Sequence, residues 1–415
     1  MNPIHRITSE LLEKPGRARA LLALASLATW SAFACGPGGA QDDGSGGSGG
    51  DTSGSGGTGG GDADSAVGNG GTGGDGGGAG TGAADGGSDA SDVDGAVAGP
   101  PTTLKGGAAQ TGRLVGAALA AGHLSEAAFA ATAAIEFNFA TPENEMKWDS
   151  TEPTRNTFTF TAGDTIVAFA AANGIQVKGH TLVWHSQLPT WVSAITDPVD
   201  LHNVMINHIT QVVSHFRGKV MGWDVVNEAW NDNGQTYRNS VFYQYLGAGY
   251  IDDAFNAAHA ADPNARLYYN DYNAEGTGAK SDSVYSMVQA MIARRVPING
   301  VGLQMHTGPN DSSPSAAQVA WNMQRLAALG LDVLITEMDV QICTSDLTTQ
   351  RARFHDIVAD CVAQPACKAV TVWGIPDKYS WRNGQSCATP RPLLFDDNYA
   401  LKPAHAGVLD AFLGR

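Results

Sequence analysis

Cysteine is sparse in this 415-residue sequence, five in all, and no two stand in the C-x-x-C spacing of a zinc or redox motif. Basic residues are also short, 25 Lys and Arg against 41 Asp and Glu, for a formal net charge of −16. An acidic surface repels phosphates, so nucleic acid and anionic lipid are poor partners for the folded part. Neither G-x-G-x-x-G nor G-x-x-x-x-G-K-[ST] follows the first predicted strand, which argues against a nucleotide-binding open sheet. The apolar run Ala20 to Ala34, broken by Ser26, Thr29, Trp30 and Ser31, is shorter than the about 20 residues of a permanent bilayer span. No metal or cofactor is expected.

What is present divides into three segments. Residues 1–35 carry Arg6, Lys14, Arg17 and Arg19 ahead of that apolar run and end in small residues, the layout of a secretory signal. Ala32-Phe33-Ala34 fits a simple cleavage site. Small residues directly before Cys35 also resemble a bacterial lipoprotein box, although Ala32 stands where Leu is usual; that reading puts lipid on Cys35 and anchors the chain to a membrane. Residues 36–100 hold 28 of the 52 glycines and no aromatic residue, too little apolar surface to offset the entropy of ordering. They are expected to form a disordered tether with a root-mean-square span of roughly 45 Å. The formal charge splits as +2, −10 and −8 over residues 1–35, 36–100 and 101–415.

Residues 101–415 carry the remaining cysteines. In an exported chain Cys343, Cys361, Cys367 and Cys387 read as two disulfides, and four cysteines permit three pairings. Cys361 with Cys367, close in sequence, is favoured, leaving Cys343 with Cys387.

From residue 113 onward short β-rich runs alternate with longer stretches of helical periodicity, the pattern of a parallel sheet with covering helices. Strands are predicted at 114–118, 136–140, 176–183, 222–227, 266–271, 300–305, 332–337 and 369–373. Helices are predicted between them at 125–134, 201–216, 251–261, 281–294, 315–329 and 348–361. Eight such pairs in about 315 residues fit an α/β fold of the (β/α)8 TIM-barrel type. In such barrels chemistry gathers at the carboxyl ends of the strands. Polar and aromatic residues cluster there in almost every case: Glu143 to Trp148, His180 to Gln187, Trp223 to Ala229, Asn270 to Asn273, Gln304 to His306, Thr336 to Asp339 and Trp373, with Trp381 soon after.

Glu228 ends the fourth strand and Glu337 the seventh, on opposite walls of an eight-stranded barrel. Cleaving a glycosidic bond needs one carboxyl to protonate the departing oxygen and another to attack, or to activate water at, the anomeric carbon. A gap of about 5–5.5 Å between them gives retention, and about 6.5–9.5 Å gives inversion.

Four stretches are specific together: Thr141-Pro142-Glu143-Asn144-Glu145-Met146-Lys147-Trp148, Gly179 to Trp191, Trp223-Asp224-Val225-Val226-Asn227-Glu228-Ala229 and Ile335-Thr336-Glu337-Met338-Asp339. In that order, and over essentially all of residues 105–413, they resemble glycoside hydrolase family 10. The resemblance implies a retaining endo-1,4-β-xylanase with Glu228 as acid/base and Glu337 as nucleophile. It also implies that His306 and Asp339 support the nucleophile and that Asn227 binds the sugar 2-hydroxyl. Glu143, Asn144, Lys147, His180, Trp184 and Gln187 are implied on the glycone side, with Gln304, Trp373 and Trp381 closing around the reactive sugar. Hydroxyl edges suit polar side chains and sugar faces suit aromatic rings.

Of the other residues near these, His185, Asp224 and Tyr272 stand evenly between contacting ligand and orienting a neighbour, some of them expected as supports, and Trp148, Trp191 and Trp223 are expected to pack in the core or loops. Ile375-Pro376 and His405 depart from the family pattern. Two other functions stay in view: a tethered xylan-binding protein without turnover, and a barrel hydrolase acting on β-1,4-glucan. The expected ligand is xylan or its oligosaccharides, the expected state a monomer, and the expected location extracellular or surface-anchored.

Overall fold

Eight parallel strands close on themselves: β1 (Leu114–Leu119), β2 (Phe139–Pro142), β3 (Gln176–Val183), β4 (Gly222–Asn227), β5 (Arg266–Asp271), β6 (Gly300–Leu303), β7 (Asp332–Val340) and β8 (Cys367–Val372). Each pairs with the next, and β8 returns to β1 through Val115↔Val370, so no edge is left open. The computed structural model describes residues 100–308, 313–343, 346–385, 387 and 389–415. The expected signal at 1–35, Cys35 and all but the last residue of the tether lie outside the described residues.

Three strands, β3, β4 and β5, coincide with their predicted limits. Two boundaries differ for physical reasons. Glu136, predicted to open the second strand, instead ends the helix Ala127–Glu136, and β2 starts at Phe139. Its buried carboxylate accepts from the Leu104 backbone N–H at 2.9 Å and meets His405 Nε2 at 3.1 Å, tying three helices together. At the other strand, β6 stops at Leu303 because Met305 turns to a left-handed φ of 66°; two residues, His306–Thr307, then resume pairing with β7.

The covering helices begin where the sequence supplies caps. Ser315 accepts from Gln318 N and forms a reciprocal capping box with it, opening Ala316–Ala328. Asp197 caps Pro198–Phe216, with proline at the first turn where its missing N–H costs nothing. The barrel floor is apolar, a cluster of Phe139, Tyr268, Leu334 and Ala369 from four strands. One layer higher the interior turns polar, with Lys178, His180, Asp224, Asn270 and Thr336 all buried. Both expected disulfides are formed. Cys361–Cys367 pins the helix Leu347–Ala363 to the start of β8, and Cys343–Cys387, 44 residues apart, joins the loops after β7 and β8. Closing a loop of that length is worth about 4 kcal/mol on the chain-entropy account.

Candidate active site

Strict alternation of strand side chains would send neighbouring residues to opposite faces. Register shifts between Asp224 and Val226, and between Ile335 and Met338, break that alternation near the strand ends. Adjacent residues such as Asn227 and Glu228, or Thr336 and Glu337, therefore reach the same barrel mouth, the usual service of a bulge beside a site.

Glu337 is 5% exposed and every oxygen is engaged. Oε1 accepts from Asn270 Nδ2 at 2.7 Å, and Oε2 lies 3.2 Å from His306 Nε2. His306 Nδ1 faces Asp339 Oδ2 at 2.8 Å. Arg382 donates to Asp339 Oδ1 through Nη2 at 2.9 Å and Nε at 3.1 Å, and Trp381 Nε1 donates to Oδ2 at 2.8 Å. Burial alone would push the Glu337 carboxyl up. The His306 hydrogen bond and the charges of His180, His306 and Lys178 outweigh it and hold the group at about 2. Burial likewise opposes charge on His306, but the Asp339 carboxylate and the bonds to both acids raise it to about 9. At neutral pH the row is thus Arg382 cation, Asp339 anion, His306 cation, Glu337 anion, with the last poised to attack an electrophilic carbon.

Glu228 faces it from the end of β4. Oε2 accepts from Trp184 Nε1 at 2.9 Å and Oε1 from Gln304 Nε2 at 3.0 Å. The Asn227 side-chain amide sits between those of Asn270, 2.9 Å away, and Gln304, 3.2 Å away. One chain of polar contacts therefore links the two carboxyls across the mouth. Glu228 also holds a left-handed φ of 57°, a state that costs a non-glycine residue about 1–3 kcal/mol and persists only where surroundings over-determine it.

The expected glycone-side residues assemble beside this pair. Lys147 Nζ donates to Asn144 Oδ1 at 2.9 Å and Gln187 Oε1 at 2.6 Å, and lies 5.0 Å from the centre of the Trp184 ring. Gln187 Nε2 closes the triangle on Asn144 at 3.1 Å. Burial lowers the Lys147 ammonium, offset by Glu337, Glu143, Asp149 and Glu228. Burial pushes the Glu143 carboxyl up to about 7 against the pull of Lys147, so a hydroxyl-bearing ligand would relieve a group that has no other side-chain hydrogen bond among those described. His180 Nδ1 is held by Asp224 Oδ2 at 2.9 Å, and its ring meets Trp373 edge-on at 5.3 Å. Trp373 and Trp381 both contact the His306 ring, at 6.4 and 4.8 Å.

Asp224 is buried and bonded to Lys178 and His180. His185 Nδ1 lies 3.8 Å from Glu228 Oε2, beyond a hydrogen bond, and burial with the nearby Arg238 charge lowers its pKa to about 4, leaving it neutral. Trp223 is fully buried and fills the space over Gly179, where a Cβ would lie 2.3 Å from its ring; Trp148 stacks on His208 at 3.7 Å. Trp191 is half-buried against the core. Ile375 is fully buried, and Pro376 pairs with Phe395, so this departure from the family pattern is absorbed in packing.

Sequence reasoning placed Asn270 in a strand-end cluster but gave it no role; it grips Glu337, and its own oxygen accepts from Thr336 Oγ1 at 2.7 Å. Nor did that reasoning single out Gly302, where a Cβ would stand 2.2 Å from Asn270 Oδ1.

Residues 103–411 match the glycosyl hydrolase family 10 profile. An endo-1,4-β-xylanase of Agaricus bisporus is 43% identical over 286 residues, spanning 67% of this chain and 84% of that one. Endo-1,4-β-xylanase B of Thermotoga neapolitana is 42% identical over 279 residues, 66% of this chain and 80% of that one. Among solved structures, xylanase 10B of Thermotoga petrophila in complex with xylobiose superposes with a TM-score of 0.73 at 40% identity, covering 76% of this chain and 98% of that one.

Proposed function

Because this chain belongs to glycosyl hydrolase family 10 and is a retaining endo-1,4-β-xylanase, we propose that Glu337 is its nucleophile and Glu228 its acid/base. The observation that carries the assignment is the environment of Glu337: buried and gripped by Asn270, yet held ionised by the hydrogen bond from His306, which Asp339 pairs, and by the charges of His180, His306 and Lys178. An attacking carboxylate must be ionised in the resting enzyme. Glu228 protonates the departing oxygen as Glu337 bonds to the anomeric carbon; the glycosyl-enzyme is then opened by a water that Glu228 deprotonates.

The remaining roles are those that the family resemblance implies, and the chemistry of the side chains suits them. Asn144, Lys147, Gln187 and Glu143 offer donors and acceptors to the hydroxyls of the glycone sugar beside Trp184, and Asn227 meets the 2-hydroxyl of the reacting one. His180, Gln304, Trp373 and Trp381 wall that sugar in. Xylose lacks the exocyclic carbon of glucose, and a pocket discriminating one such group gains about 1–3 kcal/mol. Nothing in the site favours a binding-only or glucan-cleaving reading.

A 2-deoxy-2-fluoro xylobioside with an activated leaving group tests the nucleophile directly. The fluorine slows the second step, so the sugar is expected to remain on the peptide containing Glu337; label on Glu228 would reverse the assignment.

The same proposal extends to place and state. The enzyme works outside the cytoplasm, tethered through lipid on Cys35 by residues 36–100. Two disulfides among the described residues suit an oxidising compartment. The same reading takes it to work as a monomer. The mass of the mature N-terminal peptide checks the anchor: a diacylglyceryl group on Cys35 is expected, and an unmodified peptide starting there would make the enzyme a released one.

A further inference from the structure

The peptide that carries Glu228 is clamped on both sides. Glu228 N–H donates to Asn270 O at 2.9 Å, and Ala229 N–H donates to the Tyr269 hydroxyl at 3.1 Å. The third hold comes from Arg238. Its backbone N–H donates to Ala229 O at 2.7 Å, and its Nε donates to Glu228 O at 3.2 Å.

Arg238 reaches this place through an excursion after β4 that leaves at Trp230 and returns at Tyr237. Those two residues are bridged antiparallel and stack at 4.2 Å. The tip is seated on the helix Ala279–Ala293: Ser283 Oγ donates to Gly234 O at 2.6 Å, and a Cβ on Gly234 would meet the Lys280 backbone at 2.3 Å.

The far end of the guanidinium faces a different wall. Nη2 donates to the Tyr272 hydroxyl and to Asp232 Oδ1, each at 2.8 Å, and Tyr272 also bonds Asp232. Tyr272 follows β5 and lies under Lys280, whose Nζ is 3.7 Å from the ring centre and 2.8 Å from Asp271. One planar cation thus joins the peptide of Glu228 to the tyrosine at the end of β5, in a fork geometry that a flexible ammonium does not reproduce.

We propose that Arg238 is a positioning residue for proton delivery: it aims the Glu228 carboxyl by fixing its left-handed peptide, and it ties that aim to Tyr272. This rests on Glu228 being the acid/base. Among the described residues the Arg238 side chain bonds the Glu228 backbone oxygen, Asp232 and Tyr272, and neither reactive carboxyl.

The measurement, for Arg238→Gln, is kcat and KM on xylohexaose and the pre-steady-state rate constant of bond cleavage on 2,4-dinitrophenyl β-xylobioside. The second has a leaving group that departs without a proton. A misaimed acid is expected to lower kcat on xylohexaose about 30-fold, within the range of general acid catalysis, while bond cleavage in the aryl substrate stays within threefold. Arg238→Lys is expected to recover only part of the loss. Equal losses on both substrates, or a change under twofold on xylohexaose, would overturn the proposal. If Arg238→Gln does not fold, Tyr272→Phe removes only the hydroxyl that Nη2 binds. It is expected to show the same substrate-dependent loss at about fivefold, and no substrate dependence would count against the coupling. Glu228→Ala run beside them separates the two claims: without leaving-group dependence there, the acid/base assignment falls and this inference with it.

Discussion

Glu337→Ala is expected to lower xylan hydrolysis by roughly 10⁴-fold or more, the scale on which enzymes lose activity with their covalent nucleophile. No neighbouring group can replace it. Asp339 is committed to His306, Arg382 and Trp381, and Glu228 stands on the opposite wall. The alanine leaves a space lined by Asn270 Nδ2 and the His306 cation, both of which favour a small anion. Azide is therefore expected to restore part of the turnover on an activated aryl xyloside. Because it attacks once, on the face Glu337 vacates, the product is the α-xylosyl azide, inverted relative to substrate. Product configuration read by NMR decides the matter; a β-configured azide would mean that a second group had entered the reaction.

Glu228→Ala is expected to split by substrate. On xylan the departing sugar alkoxide needs a proton as the bond breaks, and kcat is expected to fall by about 10²–10⁴. On a dinitrophenyl glycoside the first step needs no proton and its rate constant is expected to stay within roughly tenfold. Water then lacks its base in the second step, so the glycosyl-enzyme accumulates and a burst of phenolate precedes a slow steady state. Stopped-flow absorbance measures both phases. Equal damage to xylan and the aryl substrate, with no burst, would place Glu228 outside proton transfer.

Much of this is legible in the sequence, and the reason is local. The strands are short apolar runs bounded by turns, and the chemistry sits in contiguous stretches at their ends, so Glu143 to Trp148 or Trp223 to Ala229 can be picked out by eye. What stayed hidden depends on which way a residue turns or on partners far off in sequence. Asn270 and Asp271 are alike in one dimension, yet the first points inward to Glu337 and the second outward to Lys280. Glu136 looked like a strand opener because its role is set by Leu104 and His405, 32 and 269 residues away. Gly302 reads as an ordinary strand glycine until Asn270 is placed across from it. Arg238 lies ten residues past Glu228, in a stretch with no periodicity to mark it, and only the return of the chain brings it under the acid.

The Cys343–Cys387 bridge has a bearing on how such an enzyme can diversify. Every group that touches the two carboxyls directly comes from β3 to β7 or their immediate ends. Trp381 and Arg382, by contrast, ride on the segment that follows β8 and is fastened at Cys387 to the far side of β7. That segment is a wall built apart from the reactive pair, meeting it through Asp339. It can be exchanged for another of different length or chemistry, provided the new one is anchored at the same two points and returns a cation to Asp339. Selection can thus redraw the cleft around an incoming chain while the reactive pair beneath it is inherited unchanged.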